Sequence, residues 1–530
     1  MNLFKPAAAL LVIVVQMAWL ASPAQSQTLR WAARADILTT DPHSEVIAFT
    51  NYVNAQMYES LVTRDKDLNI IPCLATEWTM VNPLLWRFKL RPGVKFHDGT
   101  PFTADDVVFS VKRAQQPSAN QRTFALPMGE PRKVDELTVE FTLQQFNPIF
   151  LVHTTQIFMM SKAWSEKNNA ATTPDFKAKE VKFTLFNVNG TGPYSLVSRQ
   201  PDSKTVFKRN PNWWGQFDGN VQEVVFTPIG NDATRTAALM SGEIDFIYDP
   251  SLQDLPRFRS SPTTRVLDNV GNTSAHIGMD QSRDELLYSS VKGKNPFKDL
   301  RVRRALYHAM DIETMRNGVL NGQAYPTGSI THSPRASFND PEVEKRLPFD
   351  LAKARALMAE AGYPQGFEVT LDCPNSTPAA AAICTSLATM WAQIGVKIRA
   401  NLMPVPLFYG KTEKLDTSLY LFGWAGASTD VEPQLTSLLR QRGPGGVGHF
   451  NWGNYKNQKL EDLALASYKE TDAAKREQLI KAALLEHNEQ VNHIPMHRNG
   501  IPWAMRSNVT AVHRADNRME WRWISVAAKP

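Results

Sequence analysis

Hydrophobic and polar positions change period several times along the chain, and each change marks an element. Leu85-Trp86-Arg87-Phe88-Lys89-Leu90 alternates with period two, which predicts a half-buried strand turned by Pro92-Gly93. Thr103 then opens a helix over 104–113, with Asp106 placed to complete a capping box. Alternation returns at 137–143, and residues 53–183 read as one compact α+β block. Further on, 221–229 is extended, a helix runs from Asp232 to Ser241, Gly242 supplies a left-handed stop, and 243–248 is a strand. That is a βαβ unit, whose crossover should be right-handed.

A second unit covers 367–403. Residues 367–373 form a strand, Thr377 caps a helix with Pro378 at its first position, Gly395 ends it, and 396–403 returns as a parallel strand. Residues 350–363 ahead of it form an amphipathic helix closed by Gly362, and 417–425 is an apolar strand that breaks off at Gly423-Trp424. Two α/β lobes separated in sequence, with no repeat and no low-complexity linker, predict a protein with a cleft.

Composition supports a folded, exported chain. The 530 residues are 43% hydrophobic and 21% charged, with 26 Phe, 13 Trp and 12 Tyr, so more than one core is expected and dominant disorder is excluded. The formal charge of +6 is shallow and no run of five basic residues occurs, which argues against a nucleic-acid partner. Residues 1–26 read as a secretory signal: Lys5, an apolar stretch from Ala7 to Leu20, then a small-x-small site at Ala24-Gln25-Ser26. Its removal takes one lysine and no acid, leaving +5 on 504 residues. None of the three cysteines, Cys73, Cys373 and Cys384, follows the signal closely, so a lipid anchor is excluded. Cys373 ends a strand and Cys384 sits one or two turns into the next helix, a placement that suits either a bridge or two buried thiols.

Catalytic motifs are absent. There is no phosphate loop, no Gly-x-Ser-x-Gly and no His-Glu-x-x-His. Gly190-Thr191-Gly192 runs into Pro193, not into a helix. His493 and His497 are four apart, but Pro495 between them opposes the helix that would make them a metal face. His97-Asp98-Gly99-Thr100 reads as a turn. Neither an enzyme nor a cofactor is expected.

An ordered set of motifs carries a resemblance over almost all of the chain after the signal. It comprises YESLV (58–62), LATEW (74–78), WRFKLRPGVKFHDGTPFTADDVVFSVKRA (86–114), NGTGPYSLV (189–197), KRNPNWWG (208–215), RTAALMSGEIDF (235–246), NPFKDLRVRRALYHAMD (295–311) and DLAKARALMAEAGYP (350–364). These resemble the extracytoplasmic solute-binding proteins of family 5, the dipeptide, oligopeptide and nickel binding proteins of ABC importers. The resemblance implies an α/β, periplasmic-binding-protein type II-like fold with two lobes and an inserted α+β domain. Lobe I would comprise 27–52, 184–270 and 498–530, the insert 53–183, and lobe II 271–497. It also implies a monomer in the periplasm, a small and peptide-like solute in the cleft, and a membrane permease whose ATPase is a separate chain.

The same resemblance places the ligand. Backbone at Glu45-Val46-Ile47 would add to it as a strand, His276 would form a wall, and Gly423-Trp424-Ala425 a lid. Trp213 and Trp214 read as packing. Peptide-binding relatives hold the ligand's ammonium with an aspartate three residues after the lid Trp, where this chain has Ala427. Dipeptide binders also supply an arginine for the carboxylate, but the matching stretch here is Asp372-Cys373-Pro374-Asn375. An unpartnered buried ammonium costs several kcal/mol, so either Asp430 or Glu45 supplies the charge or the solute has no free amine there. Glycosides, opines and metal–chelator complexes stay open beside peptides, as does a cleft receptor or chaperone not coupled to transport.

Overall fold

A computed structural model describes residues 27–174, 180–330, 340–375, 378–425 and 430–528. The signal read at 1–26 and the position of Ala427 lie outside these residues. Three sheets organise the rest. A seven-stranded sheet has the order Thr264–Leu267, Trp503–Arg506, Phe246–Ile247, Thr28–Ala33, Glu223–Pro228, Lys204–Arg209, Tyr194–Gln200. The strand Thr28–Ala33 lies parallel between Glu223–Pro228 and Phe246–Ile247. The helix of the first βαβ unit, Asp232–Ser241, therefore crosses over a strand from the chain's beginning. Asn231, one residue before the predicted start, is its cap, accepting from Thr234 N, and Gly242 ends it at φ 80°. Such a φ suits glycine because no Cβ opposes it.

The second sheet has six strands in the order Ala324–Pro326, His493–Gly500, Val270–Met279, Leu419–Ala425, Phe367–Pro374, Val396–Met403. Here the second βαβ unit is compact, with Phe367–Pro374 and Val396–Met403 paired directly in parallel. A bond between Cys373 and Cys384 ties the first of these strands to the helix Pro378–Ala392. Cys73 is a buried free thiol. The third sheet, four antiparallel strands from Ala75 to Thr142, packs Phe88, Phe141 and Phe150 beneath the helix Ala104–Ala114. That helix opens with the expected reciprocal Thr103–Asp106 capping box.

Two neighbouring chain passages join the larger sheets. Thr264–Leu267 leads into Val270–Met279, and His493–Gly500 leads back into Trp503–Arg506. Each outgoing strand pairs with a returning one on both sides of the join, and Ile501 N donates to Asn269 O at 2.9 Å. Divisions drawn at 270/271 and 497/498 fall inside these strands. Each lobe keeps its own core: Trp31, Phe226 and Trp521 in the first, Ile277, Leu371 and Trp391 in the second. Burial of such side chains contributes roughly 1.5–3 kcal/mol each.

Candidate functional site

A cavity of about 810 Å3 opens where the joining strands meet the two lobes. The seven-stranded sheet's side contributes Arg34, Asp232 and Ser251, at the ends of its strands and the start of its helix. Ala380, Ile383, Phe408, Tyr409 and Leu421 face them from the six-stranded sheet's side, and Thr273, Ala275, His497 and Asn499 of the joining strands lie between. Among the described lining residues only Arg34 and Asp232 carry a formal charge, and they pair at 3.2 Å. Thus one wall is apolar and the other carries a closed ion pair.

His497 was considered in the sequence only as a metal partner for His493. Both instead lie on one strand, His493–Gly500, and separate. His493 turns toward His487, with ring nitrogens 3.0 Å apart, whereas His497 lines the cavity at 2% exposure. Among the described residues neither ring nitrogen of His497 has a hydrogen-bond partner. Burial holds its pKa down at about 4, so the ring is neutral and offers one donor and one acceptor.

His276 is not on the cavity wall. It is fully buried on the strand Val270–Met279, edge-on to Phe422 and His493, and burial depresses its pKa to about 3. Alternation explains this: Ala275 faces the cavity, so His276 faces away. The same rule separates the lid residues. Gly423 lines the cavity, but Trp424 packs its half-buried ring on Phe450 and Phe422. Ala425 pairs with Thr273 through its backbone. Asp430 is committed elsewhere, accepting both terminal nitrogens of Arg476 at 2.7 and 2.8 Å, so its charge is neutralised within the protein.

Glu45-Val46-Ile47 belongs to no strand, and Ile47 has an extended backbone ahead of the helix Ala48–Asn54. Val46 N donates to the Glu45 carboxylate at 2.8 Å, Glu45 O accepts from Gln121, and Ile47 O accepts the first helical bond from Asn51. Strand addition there requires the Glu45 side chain to leave the Val46 amide. Val46 itself lines a second cavity of about 450 Å3, with Phe49, Tyr52, Arg64, Phe124, Arg514, Asp516 and Arg518. Thr273 lines both cavities, which places the second beside the joining strands. No element of the sequence reading singled out these arginines. A signal was there: Arg514, Asp516, Arg518, Glu520 and Arg522 alternate charge at every second residue.

Trp213 and Trp214 do more than pack. Their indole N–H groups donate to the buried carboxylate of Glu59 at 3.0 and 2.9 Å, and Thr191 adds a third bond at 2.8 Å. Among the described residues no group of three His, Cys, Asp or Glu is placed to hold a metal ion, and no helix is long and apolar enough to cross a membrane.

Comparison with known proteins agrees with this geometry. The model of the bacterial extracellular solute-binding proteins, family 5 (middle region), matches residues 69–446. The chain is 27% identical to Heme-binding protein A of Haemophilus influenzae, covering 84% of this chain and 82% of that protein. It is 25% identical to the glutathione-binding protein GsiB of Pectobacterium atrosepticum, over 89% of this chain and 91% of the relative. The structure of HbpA2 from Haemophilus parasuis superposes with a TM-score of 0.81 at 23% identity, covering 94% of this chain and all of the other.

Proposed function

Since the chain belongs to family 5 of the bacterial extracellular solute-binding proteins, we propose that it captures a peptide or peptide-like solute between its lobes for an importer of the ABC type. The observation that carries this reading is the cavity of about 810 Å3 lined from both lobes and crossed by the strands that join them. Two adjacent antiparallel crossings make a hinge, so closure would bury the solute and form a new surface for a membrane permease. ATP hydrolysis then belongs to a separate chain, and this protein binds without turnover. The segment 1–26 directs it out of the cytoplasm and is removed, and the mature protein acts as a periplasmic monomer.

His497 is the neutral anchor in this cavity: its donor and acceptor suit an amide or hydroxyl of the solute. A second reading, a solute without a free ammonium group, draws support from Asp430, which is already paired with Arg476. The test compares thermal melting of the mature, ligand-free protein with pooled tri- to hexapeptides and with N-acetylated copies. A ligand at 100 times its Kd stabilises by about 2.7 kcal/mol. Stabilisation by both pools fits a peptide site without an ammonium clamp, and by free peptides alone requires one. Silence from both moves the search to non-peptide solutes.

A further inference from the structure

We propose that Gln323 is a specificity-determining residue of the larger cavity, selecting a solute whose side group there is a neutral N–H or O–H donor over one that carries a carboxylate. This rests on the solute-binding reading above and adds the chemistry of one side group to it. Gln323 lines the cavity at 5% exposure, just ahead of the strand Ala324–Pro326. Its amide is oriented by what lies behind it. Nε2 donates to the Asp268 carboxylate at 2.8 Å, and Asp268 is itself held by Arg259 at 2.9 Å. The amide nitrogen is thus committed and the acceptor is left over: among the described residues Oε1 has no hydrogen-bond partner. Beside it runs Gly500, whose N–H donates to Gln323 O at 2.9 Å. Gly500 also lines the cavity, and a Cβ there would come within 2.3 Å of Oε1, so the bare backbone is what leaves room for the oxygen.

A buried carbonyl oxygen left without a donor is costly, so a donor brought by the solute is favoured. A carboxylate brings further acceptors against Oε1 and no proton to share. The cavity holds no spare cation to offset it, since Arg34 is paired with Asp232. An ammonium group meets the same pair and gains no anion from it. The register Ala324↔Asn499 and Pro326↔His497 sets Gln323 beside Gly500, three residues along from His497, or roughly 10 Å. A backbone amide held at His497 therefore leaves a separate side group to reach Gln323. Ile383, Phe408 and Leu421 face these anchors with an apolar wall, which excludes water and strengthens each contact.

The test is calorimetric titration of the mature protein with alanine tripeptides that carry one Gln, one Glu or one Met, each placed at all three positions. At one position Gln should bind about tenfold tighter than either Glu or Met. Gln323→Met, which removes the oxygen, and Gly500→Ala, which crowds it, should both bring those ratios toward one. A ratio taken within one protein does not depend on how much of it is folded. Peptides that bind with no such preference at any position, or with a preference that both variants keep, overturn the role of Gln323 and leave the peptide reading standing. If no tripeptide binds, the peptide reading fails, and methyl glucoside and glucuronic acid decide the role of Gln323. Glucoside binding that exceeds that of the acid and weakens about tenfold in Gln323→Met retains it; unchanged or absent binding removes it.

Discussion

Two clusters of buried guanidinium and carboxylate lie in this molecule, and they are built to different rules. In the first, Arg113 and Asp41 are both fully buried and paired, with Arg113 also donating to the carbonyls of Ala170 and Thr172 and to His43. One charge meets one charge, and the remaining N–H groups have acceptors. In the second, Arg514, Asp516, Arg518 and Glu520 form a network beside a cavity, with Asp516 accepting from Arg514 Nε at 3.0 Å and Glu520 2.6 Å from Arg518 Nε. Balance makes the first cluster a fastener between the chain's start and the inserted domain. Glu520 of the second sits among three guanidiniums, Arg518 at 2.6 Å, Arg522 at 3.5 Å and Arg514 at 3.6 Å, so the loss of one leaves others in place.

The largest effect should separate the two directly. Arg113→Met leaves Asp41 buried without its partner and should cost about 3–5 kcal/mol in denaturant unfolding. Arg518→Met leaves Glu520 with Arg522 at 3.5 Å and Arg514 at 3.6 Å and should cost less, about 1–3 kcal/mol. Equal costs would erase the distinction.

Glu59 presents a third balance, a buried carboxylate held only by neutral donors. Burial raises its pKa, whereas at Asp41 the Arg113 charge and bonds outweigh burial and lower it. Glu59→Gln turns an amide N–H toward an indole N–H and should cost about 1–3 kcal/mol. The signs of the pH dependence differ. The Asp41 contribution is present above its unfolded pKa and is lost as pH falls through the folded one. The Glu59 contribution is present below its unfolded pKa and is lost as pH rises through the folded one. The penalty of Arg113→Met should therefore shrink toward acid and that of Glu59→Gln toward alkali. Parallel slopes in urea melts at several pH values would refute the assignment.

The contrast also marks what a sequence can tell. Both βαβ units were legible because their signals are local: alternation, a cap, and a glycine at the stop. The strand inserted between the two arms of the first unit was not, since Thr28–Ala33 joins them across some 200 residues. The bond between Cys373 and Cys384 was one of two readings, and the folded structure places the two Cα atoms 6.7 Å apart with the bond formed. Site residues fared differently. Alternation places His276 and Trp424 on a strand but does not say which face meets the cavity, and in both cases it was the other one. Arg64 and the alternating charges of 514–522 come from distant segments, so their meeting is a property of tertiary structure alone.

The smallest effect at neutral pH concerns His276, a buried polar group whose ring nitrogens have no hydrogen bond among the described residues. Its ring lies edge-on to Phe422, a contact that phenylalanine reproduces. His276→Phe should raise stability by about 1 kcal/mol or less at pH 7, because two unpartnered nitrogens leave the core. Acid should widen the gap. Burial, with a smaller push from His487, keeps the folded pKa at about 3. Below the ordinary histidine value near 6.5 the unfolded chain gains a proton that the folded one refuses. Stability then falls by up to roughly 1.4 kcal/mol per pH unit from this residue, a loss that ends only near the folded pKa. Phenylalanine cannot titrate, so the variant should gain on the parent between pH 6.5 and 4. An unchanged difference across that range would mean that the ring shares its charge with His487 and His493, and that the three titrate as one group.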